Sequence, residues 1–164
     1  RRPTVFDLLK RQPVRLFPVG RLDMNSEGVL LLTNDGRLAH RLLHPRYGIP
    51  RTYLVRLEGS VSDDDLERLR SGVVLDDGKT LPAQVQVARR AAQSCWLRMT
   101  LHEGRPRQIH RMLQRCGGHS VKRLQRVAMG PLTLTGLPPG AARALEAFEV
   151  ARLYHACHLE RLAS

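Results

Sequence analysis

At 164 residues the chain can form one well-cored domain or two small lobes, but not several domains. Its 27 Lys+Arg stand against 15 Asp+Glu, a formal charge of +12 carried mainly by arginine, so the expected partner is a polyanion. Cys95, Cys116 and Cys157 form no Cys-x-x-Cys pair, and no apolar stretch approaches the roughly 20 residues that span a bilayer; a disulfide framework, a zinc ribbon and a membrane span are excluded, and a soluble chain in a reducing cytoplasm is expected.

In chain order, Val5 to Lys10 predicts one or two helical turns, and a strand follows near Leu16 to Val19. "GVLLLT", Gly28 to Thr33, is a continuous apolar run that predicts one buried strand, turned by Asn34 to Gly36. "GRLAHRLLH" predicts a helix. In "RTYLVRLEG", Arg51 to Gly59, Tyr53, Val55 and Leu57 alternate with Thr52, Leu54 and Arg56, as in a strand with one face in the core. "SVSDDDLERLRSG" opens with a Ser or Asp cap and an acidic first turn, which suits the positive end of a helix. Strands are expected at "AQVQVARR" and "CWLRMTLHEG". In "EGRPRQIHRMLQRCGG", Ile109, Met112, Leu113 and Cys116 fall at i, i+3, i+4 and i+7, the apolar stripe of a helix ended by Gly117-Gly118. "ALEAFEVARLYHACHLERL" closes the chain with one or two helices.

The 42 residues from Gly104 to Leu145 contain eight basic residues and no Asp or Glu. Arg107, Arg111 and Arg115 lie at spacing four on a face away from the apolar stripe. Phosphate neutralisation needs clustered cations without competing carboxylates, so this region is expected to meet nucleic acid. His40 with His44, and His155 with Cys157 and His158, have spacings that could ligand a metal, but neither group has a third ligand nearby, and no metal is expected. Asp23 is the conspicuous acid: it follows Arg21 and precedes the apolar run. A loop aspartate is often a turn former or a cap. A carboxylate that faces an anionic polymer repels it, however, and is tolerated there when its charge acts as a nucleophile or stabilises positive charge developing on a sugar.

"GRLDMNSEGVLLLTNDG" resembles the signature of the ribosomal pseudouridine synthases, which isomerise uridines in 16S and 23S rRNA. "RTYLVRLEG" is similar to the family's second block, "LHEGRPRQIHRML" to its third, and "VKRLQRVAMGPLTLTGLPPG" to its Leu-x-Arg and Gly-Pro-Leu segments. The resemblance runs from about Arg2 to Leu145. It implies an α+β fold with a mixed, largely antiparallel sheet, flanking helices and a central RNA-binding cleft. It also implies a single catalytic domain over residues 1–164 that lacks the family's N-terminal strand, either trimmed or of the compact subtype without an accessory RNA-binding domain.

Residue by residue, the resemblance makes Asp23 the catalytic aspartate, Arg21 the arginine that helps extrude the target nucleotide, and Tyr53 the tyrosine that stacks on the flipped base and is a candidate for the final proton transfer. A base inside a stack is inaccessible to such chemistry, which is why flipping is needed. Arg105, Arg107, Gln108 and Arg111 match the third block, and Arg115, Lys122, Arg123 and Arg126 extend the RNA contact. His110 departs from the family, whose members carry Arg or Lys there, paired with the aspartate. A histidine replaces that cation only when protonated, which a neighbouring carboxylate favours by raising its pKa; the alternative is that Arg111 or another arginine pairs with Asp23 and His110 packs beside the helix stripe. The expected function is uridine isomerisation in ribosomal RNA, 23S rather than 16S, by a monomer that uses neither cofactor nor metal. The other readings are a catalytically silent RNA-binding or ribosome-assembly module of the same fold and a tRNA-directed synthase.

Overall fold

The computed structural model describes residues 1–9 and 11–160, so the expectations touching Lys10, Arg161 and Leu162 lie outside it. A 3-10 turn at Val5–Leu8 precedes three short strands, β1 (Phe17–Pro18), β2 (Ser26–Gly28) and β3 (Leu32–Thr33). Helix α1 (Gly36–Leu43) starts where the Asp35 carboxylate accepts from the Arg37 and Leu38 N–H groups, and a second 3-10 turn, Pro45–Tyr47, leads into β4 (Arg51–Glu58). Helix α2 (Asp63–Ser71) is capped by Ser62, which accepts from the Asp65 N–H, and carries its acids in the first turn as expected. A small hairpin of β5 (Val74–Leu75) and β6 (Gly78–Lys79) then precedes β7 (Gln84–Arg90) and β8 (Ser94–Leu101). Helix α3 (Gln108–Arg115), β9 (Val121–Met129), β10 (Leu132–Thr133) and α4 (Ala147–Ala156) complete the order. No helix among the described residues is long and apolar enough to cross a membrane.

The main sheet runs β10-β9-β4-β8-β7, every neighbour antiparallel, with β2 added in parallel to β9. This is the expected α+β fold with a mixed, largely antiparallel sheet. Strand β4 lies between β8 and β9, and its ladder with β9 slips between Thr52 and Tyr53 and again between Arg56 and Leu57. Two apolar clusters flank the sheet. One joins Val55, Leu57, Leu97 and Met99 to Leu66 and Leu69 of α2 and to Ile109, Met112, Leu113 and Cys116, so the predicted stripe of α3 is its buried face. The other gathers Val19, Val29 and Leu31 with Leu38 and Leu42 of α1 and Leu153 of α4. Strand β9 feeds both, through Leu124 to the first and Met129 to the second.

The structure corrects the single strand expected over Gly28 to Thr33. The run changes partner midway: Ser26–Gly28 pairs with β9, whereas Leu32–Thr33 pairs with β1, and the buried Val29 and Leu31 lie between the two pairings. An apolar run reports burial, not which strand supplies the hydrogen bonds, so the break is invisible in hydropathy.

Gly28 explains how close the two strands come. At φ 130° it occupies backbone space that side chains rarely enter, and a Cβ there would lie 2.2 Å from the Arg126 carbonyl oxygen. Gly28→Ala is therefore expected to cost about 2 to 3 kcal/mol of stability. Gly36→Ala, where a Cβ meets nothing within 4 Å, should be neutral or stabilising. Chemical denaturation of the two variants checks the contrast.

Candidate active site

Asp23 sits on a loop pinned at both ends. Before it, the fully buried Val19 donates its N–H to the Leu31 carbonyl at 2.8 Å; after it, the Ser26 N–H closes the turn onto the Asp23 carbonyl at 2.8 Å and β2 runs onto β9. The Asp23 side chain is exposed, as is Arg21. The loop thus presents an acid and a cation from a backbone anchored in the second apolar cluster.

Tyr53 comes from the other side. It stands opposite Arg126 across the β4–β9 ladder, beside the first slip, half-buried against the first cluster. Arg126 itself is 4% exposed, and its Nε and Nη2 donate to the Val29 carbonyl at 3.0 and 2.7 Å. The expectation that this guanidinium contacts RNA is corrected, because its hydrogen bonds are spent inside the protein. Arg51, which received no role from the sequence, is also buried; its Nη2 donates to the Leu42 and Leu43 carbonyls at the end of α1. Burial, then the charge of Arg126, pushes the Arg51 pKa down, with Tyr53 opposing. Nothing in the alternation of "RTYLVRLEG" separates a buried arginine from a surface one.

The third element is the entry to α3. Arg107 adopts the left-handed conformation, φ 48°, uncommon for a side chain with a Cβ. A network around Glu103 holds it there. The buried Glu103 accepts from the Leu81 N–H at 2.9 Å, from Gln108 Nε2 at 2.9 Å and from Arg105 Nε at 3.3 Å, while Gln108 Oε1 accepts from the Arg105 N–H at 3.0 Å. In the sequence Glu103 is only the residue before Gly104; its role depends on the distant Leu81 N–H as well as on the nearby Arg105 and Gln108.

The network also sorts the expected RNA contacts. Arg105 spends its guanidinium on Glu103 and on the carbonyls of Asp77, Gly78 and Lys79, and Gln108 is buried, so both build the loop. Arg111 makes a two-pronged pair with Asp77 at 2.7 and 3.2 Å, Lys122 pairs with Glu58 and Arg123 with Glu27. Arg21, Arg107 and Arg115 make no side-chain hydrogen bond or ion pair among the described residues. A groove of about 700 Å³ follows α3, its lining including Arg107, His110, Arg111, Arg115 and His119 and one acid, Asp76. His119 is already bonded to Asp65 at 2.9 Å.

His110 lines this groove, and its Nδ1 is buried without a hydrogen bond. Burial, followed by the charge of Arg107, holds its pKa below the ordinary 6.5 although the nearby Asp23 carboxylate pulls upward. Of the two expected readings, the geometry favours the one in which His110 is not the cation beside Asp23, because burial and a neighbouring guanidinium oppose its protonation more than one exposed carboxylate promotes it.

Over residues 5–115 the chain matches the family described as RNA pseudouridylate synthase, and it belongs to that family. It is similar to an uncharacterized RNA pseudouridine synthase of Aquifex aeolicus, 46% identical over 159 residues, covering 97% of this chain and 64% of the relative. It is likewise similar to the ribosomal large subunit pseudouridine synthase B of Bacillus subtilis, 42% identical over 154 residues, covering 93% of this chain and 63% of the relative. The chain thus spans somewhat less than two thirds of both. A solved structure described as a pseudouridylate synthase superimposes with a TM-score of 0.83 at 29% identity, over 92% of this chain and 65% of the other.

The sign of the His110 shift sets a pH dependence. A base that protonates less readily when folded stabilises the native state above its unfolded pKa of about 6.5 and withdraws that contribution as pH falls toward the lower folded value. The His110 ring should titrate below 6.5 by NMR, and His110→Gln should lose stability less steeply than the parent between about pH 7 and pH 5. A midpoint above the ordinary value would restore the cation.

Proposed function

We propose that this chain is the catalytic domain of an enzyme that isomerises uridine to pseudouridine in ribosomal RNA, in the large-subunit RNA rather than the small. The observation that carries the reading is an exposed aspartate on a doubly anchored loop, set beside a groove that bears uncompensated arginines. The names of the relatives support the substrate class. The reaction is redox-neutral: the bond from ribose C1′ to N1 breaks, a bond from C1′ to C5 forms, C5 loses its proton and N1 takes one up. Asp23 acts at the ribose or the base, or assists uracil's departure, Arg21 helps hold the nucleotide extruded, and Tyr53 stacks on the base and is the candidate for the last proton transfer. Arg107 and Arg115 meet phosphates along α3. His110, uncharged, shapes the wall of the groove beside Asp23. The protein works as a cytoplasmic monomer in this reading.

Release of tritium from C5-tritiated uridine in a ribosomal RNA transcript tests the chemistry. Asp23→Asn should keep RNA affinity and lose at least about a hundredfold in turnover, about 2.7 kcal/mol of barrier. Turnover within tenfold of the parent would remove Asp23 from the reaction.

The partition of arginines makes a separate prediction. Arg107→Ala combined with Arg115→Ala should flatten the salt dependence of RNA binding by up to about two phosphate equivalents while leaving the melting temperature nearly unchanged. Arg126→Ala should do the reverse, because it strips the Val29 carbonyl of its buried donors.

A further inference from the structure

The loop of Asp23 and the groove over α3 leave unused a second group of rings and cations, on the last turn of α1 and the 3-10 turn behind it. His40 and His44 lie one helical turn apart, with ring centroids separated by 5.2 Å. Tyr47 meets both edge-on at 5.8 and 6.0 Å. The Arg41 and Arg46 guanidinium carbons sit 4.6 and 5.7 Å from the Tyr47 ring centroid. Both histidines and Arg46 are exposed, and neither Arg41 nor Arg46 has a carboxylate partner among the described residues.

The fold holds this cluster rigid. Tyr47 packs against the second apolar cluster and its N–H donates to the His44 carbonyl at 3.1 Å, while His44 Nδ1 accepts from the Arg46 N–H at 3.1 Å. Behind them, the His102 ring bonds the Gly48 carbonyl at 2.9 Å. The same helix end abuts the loop of Asp23: a Cβ at Gly20, the residue before Arg21, would lie 2.9 Å from Leu43 Cδ2. Exposed rings, fixed in place and flanked by cations without acids, lie next to the loop that carries the candidate catalytic residues.

From this juxtaposition we infer that the His40–His44 face is a stacking site for an unpaired base of the bound RNA, with Arg46 meeting an adjoining phosphate and Tyr47 bracing the rings from beneath. The inference rests on the RNA reading of the neighbouring site. Unpaired bases stack on planar side chains with little regard to sequence, whereas paired bases hide their faces, so the site reads single-strandedness beside the target and not its sequence.

The test uses the full chain and three stem-loop RNAs: one with a short single-stranded oligoadenosine flank, one with the flank made abasic, and one without it. His40→Gln combined with His44→Asn removes both rings, and the new amide oxygen at position 44 can still accept from the Arg46 N–H. The double variant should lose about five- to tenfold in affinity for the flanked RNA and nothing for the other two. Arg46→Gln, which leaves the rings in place, should lower the salt slope by about one phosphate on both flanked RNAs. An equal loss on all three RNAs, or no loss on any, overturns the stacking site while leaving the RNA reading intact. A parent that binds none of them overturns that reading and the inference with it.

Discussion

The guanidinium of Arg126 joins the loop that carries Asp23 to the sheet, and the remaining geometry of the site depends on that junction. Its two donors hold the Val29 carbonyl while the Val29 N–H donates to Arg126's own carbonyl at 2.9 Å, so a single residue of β9 satisfies both backbone groups where β2 ends. Burying a charge costs several kcal/mol unless it is well bonded. Charged hydrogen bonds return about 1.5 to 3 kcal/mol each, which offsets much of that cost and makes the junction specific. Gly28 completes it by letting the backbones approach. Tyr53 stands opposite Arg126 on β4, so this one residue of β9 adjoins both the end of β2 and the candidate tyrosine.

Charge is distributed by the same logic. Arg51 and Arg126 lie buried beside one another and beside Tyr53, with no carboxylate ion-paired to either among the described residues. That places fixed positive charge beside Tyr53, where the low local dielectric strengthens its field. Acids from outside the basic segment, Glu27, Glu58 and Asp77 at the surface and the buried Glu103, neutralise Arg123, Lys122, Arg111 and Arg105. Among the expected RNA contacts, Arg21, Arg107 and Arg115 keep their charge unpaired among the described residues, on the loop of Asp23 and along α3.

The left-handed Arg107 and the uncharged His110 are two outcomes of one local arrangement. The Glu103, Arg105 and Gln108 network determines the entry to α3, and that entry sets a guanidinium close enough to His110 to discourage its protonation. A cation at the groove's entrance therefore belongs to Arg107, one turn earlier than the family pattern suggests, and the histidine contributes shape and a buried nitrogen.

Much of this was legible in the chain itself. The apolar stripe of α3, the Ser62 cap, the alternation in β4 and the basic excess are local or compositional properties, written in residue spacing, and the ordered motif blocks name the family and nominate Asp23 and Tyr53 as candidates. The break in "GVLLLT", the burial of Arg126 and Arg51, and the pairing of the arginines in the acid-free stretch with acids far away in sequence were not legible there. Periodicity and composition report how a residue relates to its neighbours along the chain. Whether an arginine faces solvent or a carbonyl, and whether a histidine beside an aspartate holds a proton, is decided by groups brought together only when β2 lies down on β9 and the two apolar clusters close around it.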